Sequence, residues 1–151
     1  MFEVMVMMHA VLGLLVLLAG IWVFVEALNV SQSNVARIRL ASLIVAVAMW
    51  VTFAVAGYWY VAYYAADKAL ILKGPWPFAH NFFMETKEHV VLMLLLLTTF
   101  LPIAAQNDLV GNKGARSLFL CVAGLIVLIG VAVEGSGGII SMGAKLGAAL
   151  R

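Results

Sequence analysis

Four apolar runs separated by short polar breaks constrain this chain more than any other feature. A membrane-crossing helix takes about 20 predominantly apolar residues, and each run reaches that length. With 151 residues in all, four spans consume nearly the whole chain. The expected fold is therefore all-α: a four-helix transmembrane bundle forming one domain over 1–151, with spans at about 4–28, 39–64, 77–105 and 117–142. The composition agrees, since 66% hydrophobic and 11% charged residues leave too little charge to keep a domain in water.

Charge and cysteine usage remove several function classes. The net charge of +2 is spread along the chain with no basic block, which argues against a nucleic-acid partner. The single cysteine, Cys121, rules out an intrachain disulfide and any CxxCH attachment of c-type haem. The start, MFEVMVMMHAVLG, has no basic n-region, and its apolar run outlasts a signal h-region. It reads as a retained helix.

The polar breaks order the spans. NVSQSN, over Asn29–Asn34, is a turn-rich break after the first. The second ends in the aromatic cluster YWYVAYY, a composition suited to headgroup depth. Pro75, Trp76 and Pro77 make a rigid turn into the third span, whose last turn holds Pro102. QNDLVGNKGAR is the third loop. Arg37 and Arg39 in loop one, with Lys113 and Arg116 in loop three, place those loops in the cytoplasm by positive-inside logic. A bacterial-type inner membrane with both termini outside is the expected setting.

Alternating helix direction then fixes depth. At 1.5 Å of rise per residue, His9 lies about 8 Å into the first span. His80 and His89 begin the third, and Glu134 lies far along the fourth. All three histidines, with Glu85, Glu88 and Glu134, collect toward one membrane side. Helical rotation of about 100° per residue puts Glu85, Glu88, His89 and Leu92 on one face, and sets His80 and His89 on nearly opposite ones. His9 shares its face with Gly13 and Gly20, a slot that a flat macrocycle or a neighbouring helix would fill.

Two neutral imidazoles at matching depth can ligate one haem iron. His9 and His89 are the expected axial pair, with His80 as substitute, Gly13 lining the slot and Trp76 covering a cofactor edge. A non-haem metal is the other reading. ExxEH, over Glu85, Glu88 and His89, spaces carboxylates and imidazole one turn apart, and His9 and Glu134 lie at the same level. Against it, acids at a helix start also complement the helix dipole, and Lys87 between them suggests exposure. Glu26 reads as an interfacial group pairing with Arg37 or Arg39. Met5 to Met8 read as a lipid or packing face.

In its four-span layout, with histidines on non-adjacent helices, the chain resembles the small four-helix membrane cytochromes b. That resemblance implies haem b and electron transfer, with quinone or a partner redox subunit exchanging electrons. Di-haem members of that family place histidines near both membrane faces. Here one half has none, which limits the chain to one such haem or to a haem shared with a partner. The alternative is an accessory or structural subunit of a larger membrane complex, or a homo-oligomer, whose contacts are with lipid and neighbouring helices.

Overall fold

The computed structural model describes residues 2–150, with side chains from residue 4 onward. It is an all-α bundle of four long helices: α1 (Phe2–Leu28), α2 (Val35–Lys73), α3 (Glu85–Ala104) and α4 (Lys113–Ala149). A single π-helical segment, Ala79–Met84, runs directly into α3. Four segments, Val4–Leu28, Val35–Lys73, Ala79–Ala104 and Lys113–Ala149, are long and apolar enough to cross a membrane.

Two helices outrun the boundaries read from the sequence. α2 continues nine residues past Tyr64 to Lys73, and α4 continues seven past Met142 to Ala149. The reason is local propensity. AADKALILK and GAKLGAA are rich in Ala, Leu and Lys, residues that favour helix whether or not lipid surrounds them. α2 stops only at Gly74, whose N–H still bonds the Ile71 carbonyl, before Pro75 forbids continuation. At 39 residues α2 is about 58 Å long, well beyond the roughly 30 Å of bilayer hydrocarbon. Its end projects beside the end of α4, where Gly147 packs directly on the Leu70 carbonyl and Gly74 approaches the Gly147 backbone.

The face carrying the first and third loops is closed by arginine. Arg37 pairs with Glu26 at 2.9 Å, while Arg39 donates to the carbonyls of Ala105, Gln106 and Asn107. Arg116 caps the Leu28 carbonyl at the end of α1. Asn112 caps α4, its side-chain oxygen accepting from the Gly114 and Ala115 N–H groups. Each cap satisfies a helix-end backbone group that apolar surroundings would otherwise leave unpaired.

Packing divides the bundle lengthwise. Toward the arginine face lies the main core, with Val23, Val45, Leu101, Phe119 and Ile126 sealed between all four helices. Toward the terminal face a smaller cluster gathers around Tyr64, Ile71, Ala79, Met84 and Ile140. Met7, Met8 and the other outward apolar side chains face the space lipid would occupy.

Candidate functional site

Where the two cores separate, the helices enclose a cavity of about 350 Å³. Every helix contributes a polar group to its wall. α1 supplies His9; α2 supplies Thr52, Trp59, Tyr60 and Asp67; α3 supplies Lys87 and Glu88; α4 supplies Glu134 and Ser141. Val16, Leu17, Met49, Phe53, Leu94 and Ile126 line the end nearer the bilayer middle. The wall therefore grades from polar, near the terminal face, to apolar at depth.

Two glycines make room for the buried charges. A Cβ on Gly13 would run into the Glu134 carboxylate. The slot below His9 on α1 is thus filled by a side chain of α4. A Cβ on Gly137 would come 2.9 Å from Lys87 Nζ, so the ammonium lies against the α4 backbone. Lys87 is drawn toward both Glu134 and the cavity interior, not into solvent as its place near a helix start suggests. No direct ion pair within 4.0 Å joins Lys87 to Glu134 among the described residues. The two side chains line the same cavity and are coupled electrostatically without direct contact.

His9 lies against the Thr52 backbone, and its Nδ1 is buried without a hydrogen-bond partner. Glu88 has its carboxylate beside Tyr60, and its Oε1 is buried with no hydrogen-bond partner. Buried polar atoms are rarely left so. Both unpartnered atoms belong to cavity-lining residues.

A second polar cluster sits beside the cavity. Tyr64 Oη lies 2.9 Å from His80 Nδ1, and His80 Nε2 lies 3.3 Å from Glu85 Oε1. A carboxylate accepts, so Nε2 carries a proton, and in the neutral ring Nδ1 then accepts from the tyrosine hydroxyl. The π-helical segment creates this arrangement. Its wider turn brings residues five apart together, as in His80 with Glu85, and the Glu85 N–H bonds the His80 carbonyl. His80 is only 3% exposed. Tyr60 stacks on Tyr64, with ring centroids 5.2 Å apart, and connects this cluster to the cavity wall.

The residues expected to act together are distributed differently. His9 and Gly13 line the cavity, as do Glu88 and Glu134. His89 is exposed on the outer surface of α3, its Nδ1–H donating 2.7 Å to the Glu85 carbonyl, so the bundle does not bring His9 and His89 face to face. His80 is committed to Tyr64 and Glu85. Trp76 packs with the smaller core and Phe78, away from the cavity wall. ExxEH is split three ways: Glu85 meets His80 of the π-helical segment, Glu88 lies beside Tyr60 of α2, and His89 faces outward. Among the described residues no group of three His, Cys, Asp or Glu side chains is placed to hold a metal ion.

Sequence reasoning passed over Asp67 and read Lys87 as exposed. Asp67 had a readable signal: Tyr60, Tyr64 and Asp67 repeat at four and three residues, one helix face, once α2 is carried past Tyr64. No family model, curated protein or solved structure matches this chain, so its function is argued from the cavity itself.

Proposed function

We propose that this chain is an integral membrane protein that binds a membrane-borne amphipathic molecule inside its bundle. The occupant's apolar part reaches toward Val16, Met49 and Ile126, and its polar head meets His9, Lys87, Glu88 and Glu134. The observation that carries this reading is the graded wall. A cavity polar near one membrane face and apolar at mid-depth matches the polarity profile of a molecule already dissolved in the bilayer.

Entry from lipid supports it. Tyr60 and Leu92 line the cavity and are also exposed, at 38% and 50%. They flank Glu88 on α2 and α3, giving a side opening between those helices. A quinone-type ring is one neutral head that this ring of donors and acceptors would accommodate. The setting that goes with this reading is a bacterial-type inner membrane with both termini outside, based on the arginines of the opposite face.

A second reading keeps haem b, in electron transfer with a partner redox subunit. His89 favours it. An imidazole whose Nδ1–H is fixed by a carbonyl has its Nε2 set for metal ligation, and here that nitrogen faces outward. A haem there would be shared with a second subunit and would supply one-electron chemistry. His9, with its unpartnered Nδ1, is the other candidate ligand.

Native mass spectrometry of protein released from its own membranes tests the first reading. An added Cβ at Gly57 meets nothing within 4 Å, and Gly57 lines the cavity. Gly57→Phe should therefore fill the space without displacing a neighbour. Wild type is expected to carry a bound small molecule that Gly57→Phe lacks. A bare wild type, or an adduct retained in the variant, overturns it. A dithionite-reduced absorption spectrum with a sharp α-band lost in His89→Ala would favour the haem reading instead.

A further inference from the structure

The charge balance of the cavity indicates what kind of head group it takes. Asp67, Glu88 and Glu134 stand against Lys87 alone, and counting His9 as protonated still leaves an excess negative charge. Lys87 is engaged at the α4 side, over Gly137 and facing Glu134. Glu88 and Asp67 line the same wall. Asp67 has no ion-pair partner among the described residues, and the buried Glu88 Oε1 has no hydrogen-bond partner. The same part of the wall carries the rings of Trp59 and Tyr60.

We propose that the cavity binds a lipophilic cation, a hydrophobic amine or quaternary ammonium or phosphonium, with its charge between Glu88, Asp67 and the Tyr60–Trp59 wall. This rests on the amphipathic-ligand reading above and gives that ligand its sign. Carboxylates in excess inside a low-dielectric wall must be neutralised by protons or by a cation. A cation supplies that neutralising charge, and the aromatic faces add cation–π attraction. Apolar side chains at depth take the cation's hydrophobic body. The groups facing Glu88 and Asp67 are Tyr60 and Tyr64 from α2, Glu85 and Lys87 from α3, and Glu134 from α4. The basic member, Lys87, is already opposed by Glu134.

Equilibrium dialysis of the whole protein in lipid nanodiscs tests this, with tetraphenylphosphonium as cationic probe and triphenylphosphine oxide as neutral counterpart. The cation is expected to bind at least ten times more tightly than the neutral probe. Its affinity should fall as pH is lowered, because protons compete with the cation for the wall carboxylates. Glu88→Gln and Asp67→Asn should each weaken it about tenfold or more and flatten the pH dependence, and Glu134→Gln less. The wild-type pH profile needs no variant to fold. Equal binding of the two probes, or pH-independent cation binding, overturns the inference. A neutral native adduct seen by mass spectrometry would sustain the amphipathic-ligand reading and overturn this one. No adduct and no probe binding would overturn both.

Discussion

The two lengthwise halves of this bundle are made by the same four helices and answer to opposite rules. In the arginine-face half, Val23, Val45, Leu101 and Phe119 interlock with almost no exposure, and the polar side chains are caps at the helix ends or hydroxyls, Ser42 and Thr98, bonded back to their own helix. In the terminal-face half the helices carry His9, Lys87, Glu88 and Glu134 inward and leave space between them. Helix association in lipid comes from close packing more than from the hydrophobic effect. The tight half therefore holds the bundle together, which frees the other half to keep unpaired charges around a cavity. Stability and binding are allocated to different depths of one scaffold.

That division can be broken from either side. Phe119→Ala, in the tight half, removes the largest fully buried side chain. It should cost about 3–5 kcal/mol, seen as an earlier unfolding midpoint in a detergent–denaturant titration. Gly13→Ala, in the hollow half, drives a methyl group into the Glu134 carboxylate, the end of a flexible side chain, and should cost at the low end for overpacking, about 1 kcal/mol. If Glu134 is the cause, Gly13→Ala in a Glu134→Ala background should be nearly free of that penalty. An equal penalty in both backgrounds would mean that α1 there packs on something else.

How far the sequence spoke for each half follows from what each is made of. Apolar runs gave the four spans, and alternating direction placed the ionisable residues together at one membrane side. His9, Glu88 and Glu134 do share the cavity there. The rest depended on features with no periodic signature. The opposite settings of His80 and His89 follow the rotation read from the sequence, but the π-helical segment that brings His80 against Glu85 does not. α2 was ended too early because its outer third is helical by propensity and not by hydrophobicity, which hid Asp67. Lys87, beside two glutamates at a helix start, resembled a solvated residue until Gly137 on another helix gave it a place inside. Glu26 was simpler. A short loop left it within reach of two arginines, and Arg37 takes it while Arg39 caps α3.

Smaller effects sharpen the comparison further. Tyr64→Phe removes one buried hydrogen bond to His80 and should cost about 1 kcal/mol. Its clearer mark is spectroscopic. In wild type, 15N spectra should show His80 protonated at Nε2, and the variant should shift the Nδ1 signal as that nitrogen loses its donor. Gly20→Ala lies deeper on α1, where the added methyl meets Ile126 and Val127 at ordinary contact distances. It should change stability by no more than about 0.5 kcal/mol, in contrast to Gly13→Ala two turns away.

The contrast between the halves is tested most directly by thiol accessibility. In a Cys121→Ala chain reconstituted into lipid, Ala56→Cys places a thiol in the cavity wall and Val45→Cys places one in the sealed core. A small water-soluble methanethiosulfonate reagent is expected to label position 56 at least tenfold faster than position 45, and more slowly once Gly57→Phe fills the space. Equal rates at the two positions, or an unreactive thiol at position 56, would contradict a hollow, polar half.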